Sequence, residues 1–212
     1  MREFEGTFFK KFPQEKVLRG YGGTFSKSYP MIMICIFLAN GFEMIEALTP
    51  CDVLKRAGAD VKLVSITDSR NVTSTHGVTV GCDLTLSELD STEIELIILP
   101  GGMPGAKNLF ECEALCQLTV AHAKKGGKIA AICAAPFILG QLSLLQGKQA
   151  TCYPGFEAEL IGAKVLPCGV VQDGNILTAK GMGVSLPFAL KAVEMLYGKE
   201  KADAVSAQIM AE

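Results

Sequence analysis

The chain has 212 residues, with 20 Lys+Arg against 22 Asp+Glu and a formal charge of −2. That is enough chain for one well-buried domain, and too little positive charge to grip a nucleic-acid backbone or an anionic membrane surface. Mean hydropathy is +0.32, yet the longest apolar run, Met31–Ala39, is about half of the roughly 18 residues a membrane span needs, so neither nucleic acid nor membrane is an expected partner.

Residues 1–30 carry charges throughout and show no sustained period of 2 or 3.6. They are set apart as an N-terminal extension: a disordered tail, a packing arm, or the product of a mis-assigned start ahead of Met31 or Met33. They do not read as a secretory leader, so the eight cysteines are expected to be free thiols of a reducing cytoplasm. The domain is expected over 31–212.

Within it, MIMICIFL reads as a strand and is followed by an amphipathic helix to Arg56. Then come strands VKLVSI, VTVGCDL and ELIILP, a helix over Glu113–Lys124, and the strand KIAAIC. Alternation of this kind predicts an α/β fold with a mostly parallel central sheet. Leu96–Leu99 and Ile129–Ile132 are apolar at every position, as central strands covered on both faces must be. Gly169–Val171 and Asn175–Thr178 flank a predicted hairpin turn at Gln172-Asp173-Gly174. Val184, Phe188, Ala192, Val193 and Leu196 form a helical stripe, and a polar helix over Lys199–Ala207 closes the chain.

In an open parallel sheet, ligands bind beyond the carboxyl ends of the strands. Four strand exits carry more than a plain connection needs: Asn40–Glu46, Pro100–Gly105, Cys133–Pro136 and Gly181–Ser185. In Ala130-Ala131-Ile132-Cys133-Ala134-Ala135-Pro136 a thiol stands where an apolar strand stops and a helix is expected to start. A sharp strand-to-helix turn between small neighbours projects such a side chain into the cleft, and a helix N-terminus favours thiolate. The local sequence leaves Cys133 between a nucleophile and an inert buried thiol.

Glu46 follows the first strand among apolar neighbours; a carboxyl group desolvated there has a raised pKa and serves as a proton shuttle. A solvated glutamate is the alternative, and Glu43 is a competing candidate on the same face. Gly101 and Gly102, in Pro100-Gly101-Gly102-Met103-Pro104-Gly105, permit close backbone approach and leave amides free for a developing oxyanion, unless the loop is only a tight turn. His122 is expected on a solvated helix face and His76 in a turn, Cys112 and Cys116 in ordinary packing, and no zinc-ligand spacing occurs, so no metal site is expected.

Glu46, Leu99-Pro100-Gly101-Gly102, Ala131-Ile132-Cys133-Ala134-Ala135-Pro136 and Ile176-Leu177-Thr178-Ala179-Lys180-Gly181 together resemble the ThiJ/PfpI superfamily, in its parkinsonism-associated protein deglycase branch. The likeness covers residues 31–212. It implies a class I glutamine amidotransferase-like fold, the flavodoxin-like three-layer α/β/α sandwich, in a cytoplasmic homodimer. It also implies Cys133 as the reactive cysteine, Glu46 as its protonated partner, and Gly101, Gly102, Ala134 and Tyr153 around the bound oxyanion and substrate. Tyr153 stands where the family often has a histidine, and His76 where some members have an arginine. The implied activity is a cofactor-independent glyoxalase or deglycase acting on small 2-oxoaldehydes such as methylglyoxal, or on glycated protein. A redox sensor or chaperone using an oxidisable Cys133 is the alternative, and a cysteine peptidase or amidase is disfavoured because Ala134, not a histidine, follows Cys133.

Overall fold

Strands that are apolar on both faces need cover on both faces, and the computed structural model, which describes residues 33–211, supplies it with helices. The extension expected over 1–30 lies outside the described residues. In chain order the elements are β1 (Met33–Leu38), α1 (Met44–Arg56), β2 (Asp60–Ser65), β3 (Asn71–Thr73), β4 (Thr79–Gly81), β5 (Leu84–Thr85) and β6 (Ile94–Leu99). These are followed by α2 (Gly105–Glu111), α3 (Glu113–Lys124), β7 (Lys128–Ile132), α4 (Pro136–Gln141), β8 (Gln149–Ala150) and β9 (Lys164–Val165). The last are β10 (Val170–Asp173), β11 (Ile176–Ala179), α5 (Ser185–Tyr197) and α6 (Lys199–Gln208).

The main sheet has seven strands in the order β10-β11-β7-β6-β1-β2-β5. Every neighbouring pair is parallel except the β10–β11 hairpin at one edge. The period of 2 sorts the core. Ile34, Ile36, Leu38, Leu96, Ile98, Ala130 and Ile132 point to the side packed by Leu54 of α1, Phe188 of α5 and Val205 of α6. Cys35, Phe37, Ile97, Leu99, Ile129 and Ala131 point to the other side, against Leu109 of α2, Leu115 of α3 and Leu139 of α4. The result is the three-layer, flavodoxin-like sandwich, with β6 and β7 at its centre as their sequences require.

Local chemistry sets the element ends. Glu43 caps α1 by accepting from the Ile45 amide at 3.3 Å, and Lys55 and Arg56 in the last turn complement the helix dipole. Pro50 lies inside α1 and has no N–H to return to the Glu46 carbonyl four residues earlier.

Three local expectations need correction. VTVGCDL is not one strand: Thr79–Gly81 pairs antiparallel with Asn71–Thr73 in a small separate hairpin, and only Leu84–Thr85 joins the main sheet. Gly77, with φ of +83°, turns the chain between them. The edge hairpin turns one residue later than expected, because Asp173 pairs with Ile176 and Gly174, at φ +61°, takes the left-handed position. His122 is buried, not solvated: its Nε2 lies 3.0 Å from the Lys128 carbonyl, and its ring packs so closely on Gly127 that a Cβ there would overlap it.

Burial lowers the His122 pKa from its ordinary value of 6.5. The unfolded chain therefore binds this proton more readily, so the stabilising contribution of neutral His122 is complete above about 6.5 and declines as pH falls through the lower folded value. His122→Gln is expected to gain in Tm relative to wild type as pH falls from 7.5 to 5.5. Parallel Tm curves for the two proteins would show that His122 does not titrate on unfolding.

Candidate active site

All four chemistry-bearing strand exits meet at the carboxyl end of the sheet. β7 ends at Ile132, and Cys133 follows in a left-handed conformation, φ +66°. Such a conformation is strained for a side-chain-bearing residue and persists only where the surroundings hold it. Here they hold it from two sides: the Cys133 amide donates to the Ala179 carbonyl at 2.8 Å, and its carbonyl accepts from the Tyr153 amide at 2.8 Å. The alanines that follow leave room for the turn into α4. This is an elbow that aims the thiol off the sheet end.

Glu46, in the first turn of α1, is 1% exposed. Its Oε2 accepts from the Gly101 amide at 2.9 Å and its Oε1 has no hydrogen-bond partner, while the carboxyl as a whole faces the Cys133 thiol and the Met182 amide. Burial raises its pKa from 4.5 to about 7. At neutral pH this carboxyl is therefore balanced between its two forms, as a group that gives and takes protons must be.

The thiol is not acidified by a helix terminus, contrary to expectation. α4 is six residues long and begins at Pro136, so its dipole is small and is set back from the sulfur. Burial, and next to it the negative charge of Glu46, push Cys133 up to about 12. With the proton on Glu46 that repulsion vanishes, and the amides of Gly102 and Ala134, which lower the value, remain to support a thiolate. The pair thus holds one proton between sulfur and carboxyl, and the amides aim at the sulfur and at whatever oxygen forms beside it.

The glycine loop is stitched to the turn after β1. Glu43 donates its amide to the Gly101 carbonyl at 2.9 Å, and Gly105 donates to the Gly41 carbonyl at 3.1 Å. Gly102 has φ +86°, and a Cβ there would collide with the Glu43 backbone. Sequence reading missed what steadies the turn itself. The small hairpin does so: Thr75 Oγ1 donates to the Gly41 carbonyl at 2.7 Å, and Asn40 Oδ1 accepts from the Thr73 amide at 2.9 Å. No spacing in the sequence signals these contacts, because the residues are some 33 positions apart.

Tyr153 is 51% exposed at the mouth, its backbone tied to Cys133. Glu43 is the helix cap and faces His76, with Nδ1 3.7 Å from Oε2. His122 sits at the start of β7, whose five residues separate it from Cys133 by about 16 Å. The structure thus gathers Cys133, Glu46, Gly101, Gly102, Ala134 and Tyr153 at one place, leaves Glu43 on its rim, and sends His122 to the far end of the sheet. Cys116 donates its thiol to the Phe110 carbonyl at 3.1 Å, in ordinary packing beside Cys112.

A doubly wound parallel sheet with a strained cysteine and a buried carboxyl at the carboxyl end of its strands defines a class of flavodoxin-like proteins with a thiol–carboxyl pair at that end. The DJ-1/PfpI family profile matches residues 33–195. The chain is 34% identical over 165 residues to glutathione-independent glyoxalase DJR-1.2 of Caenorhabditis elegans, covering 77% of this chain and 87% of that one. It is 38% identical over 180 residues to protein DJ-1 homolog A of Arabidopsis thaliana, covering 84% of this chain but only 46% of the relative, about half its length. Among solved structures, oxidized DJ-1 of Toxoplasma gondii superposes with a TM-score of 0.81 at 36% identity, over 84% of this chain and 98% of that one. The chain belongs to the DJ-1/PfpI family, in its DJ-1 branch.

Proposed function

We propose that this protein is a cofactor-independent glyoxalase that converts small 2-oxoaldehydes such as methylglyoxal into 2-hydroxy acids, and that the same chemistry extends to 2-oxoaldehyde adducts of proteins. The observation that carries the reading is the buried Glu46 carboxyl, raised to about 7, set against a thiol on a strained elbow. A relative bearing the name glutathione-independent glyoxalase supports it.

The Cys133 thiolate attacks the aldehyde carbon, forming a C–S bond, and the Gly102 and Ala134 amides hold the resulting alkoxide while Glu46 supplies its proton. Glu46, now a carboxylate, takes the C1 proton to give an enediolate; it returns that proton to C2 while the C1 hydroxyl proton passes to the C2 oxygen, giving the 2-hydroxy thioester. This oxidises C1 and reduces C2 within one molecule, so no external oxidant or reductant is consumed. Water then cleaves the thioester, releasing lactate and the thiol. Neither histidine is placed against Cys133, which disfavours a Cys-His peptidase or amidase. No described helix is long and apolar enough to cross a membrane; a homodimer in the cytoplasm is the proposed state, by resemblance to the family.

The second reading is a redox sensor or chaperone, in which two equivalents of peroxide convert the Cys133 thiolate to a sulfinate that accepts a hydrogen bond from protonated Glu46. The unpartnered Glu46 Oε1 favours it. Full-length protein stripped of metal and free of glutathione is expected to consume methylglyoxal and release lactate, and Cys133→Ser to lose at least about 10³-fold of that rate. Absence of lactate from wild type, or an undiminished rate in the variant, would leave the redox reading in its place.

A further inference from the structure

We propose, resting on the glyoxalase reading above, that the preferred substrates are uncharged 2-oxoaldehydes with an apolar or aromatic substituent, packed on Tyr153, and that anionic 2-oxoaldehydes are discriminated against. The Tyr153 amide bonds to the Cys133 carbonyl at 2.8 Å, so the origin of the ring is fixed relative to the sulfur. Its ring edge flanks Gly181: the point where a Cβ would stand on Gly181 is 3.4 Å from Tyr153 Cδ2 and 4.0 Å from Glu46 Oε1. Because glycine has no Cβ, the gap between the aromatic edge and the carboxyl oxygen stays open. A carbon placed there would lie at van der Waals distance from the ring edge.

A substrate bonded through C1 to Cys133 must direct its C2 substituent out of the buried pair and toward the mouth. There Tyr153 is 51% exposed, and the loops that deliver Gly102 and the Met182 amide carry Met103 and Met182, 47% and 54% exposed. Aromatic and thioether groups left open at a cleft are apolar contact surface looking for a partner. Charge selects in the same direction. Carboxylates act on the site: Glu46 raises the pKa of Cys133, and Glu43 that of Glu46. A carboxylate or phosphate on the substrate would therefore meet like charge from these carboxylates.

The test measures kcat and KM of the full chain for methylglyoxal, phenylglyoxal and 4,5-dioxopentanoate, the last a 2-oxoaldehyde bearing a carboxylate. Product 2-hydroxy acid is followed in each case, because phenylglyoxal also modifies arginine. Phenylglyoxal is expected to have a kcat/KM about tenfold above methylglyoxal, and 4,5-dioxopentanoate about tenfold below it. Tyr153→Ala is expected to cut the phenylglyoxal-to-methylglyoxal ratio by about tenfold, mainly through KM for phenylglyoxal, while Tyr153→Phe preserves the ratio. Turnover of methylglyoxal without an aryl preference, or a ratio unmoved in Tyr153→Ala, overturns the substrate class and leaves the glyoxalase reading standing. No turnover of any of the three removes that reading, and the substrate class with it.

Discussion

Glu46→Gln is expected to lower kcat/KM for methylglyoxal by about 10²–10⁴-fold, the usual worth of a positioned proton carrier. Gln keeps the carbonyl oxygen that accepts from the Gly101 amide, at 2.9 Å in the wild type, but carries no exchangeable carboxyl proton. The wild-type rate is expected to rise with pH through about 7, the value to which burial lifts Glu46, as the pair goes from two protons to the reactive one. In the variant that rise is lost.

Stability moves the other way. A carboxyl whose pKa is raised on folding contributes fully below its unfolded value of 4.5 and loses that contribution as pH rises through about 7. Ionised Glu46 therefore costs about 3 kcal/mol at pH 9. Urea midpoints at pH 6 and pH 9 are expected to show Glu46→Gln gaining on wild type as pH rises. A pH-independent difference would mean that Glu46 ionises freely in the folded protein.

Gly101→Ala is expected to lower activity to below about 1% of wild type and to cost about 1–3 kcal/mol of stability, the penalty of forcing an atom into a packed site. A methyl group there would stand 2.6 Å from Cys133 Cβ, 2.6 Å from Glu46 Oε2 and 3.0 Å from the Ile132 carbonyl. The first two belong to the proposed reacting pair: the Cys133 Cβ cannot swing away, and the Glu46 carboxyl is buried and held by the Gly101 amide itself. The same methyl added at Gly183 meets nothing within 4 Å, so Gly183→Ala is expected to unfold at the wild-type midpoint. Lactate formation and urea unfolding, measured on both variants, decide it. A fully active Gly101→Ala would show that the glycine loop does not sit against the thiol and carboxyl as described.

These two positions show how the site was divided between sequence and fold. Cys133 and the glycine loop were legible because each follows an apolar strand directly: the period and content of Leu96–Leu99 and Ile129–Ile132 make them central parallel strands, whose exits are where ligands bind. Glu46 stood as a candidate beside Glu43 on its apolar neighbours; the resemblance chose between them and added Tyr153. The helix-terminus argument for the thiol failed for a reason no local pattern carries, namely that α4 is only six residues long and burial outweighs its dipole. His122 was misread for a similar reason. Its helix position is compatible with solvent, and only the approach of Gly127 and the Lys128 carbonyl closes it off.

By itself the sequence determined the layered α/β fold, the central strands, the four loops at the functional end and the residue types available there. Those follow from hydrophobic period and turn chemistry, which act over a few residues. The tertiary structure alone decided that Glu46 is buried against Cys133 and Gly101, 55 positions away in the chain from Gly101, that the β3–β4 hairpin steadies the turn carrying Glu43, and that Tyr153 and Gly181 frame the mouth. Burial and hydrogen-bond partnership are properties of packing between distant segments, and a carboxyl's pKa is set by that packing rather than by its neighbours in sequence.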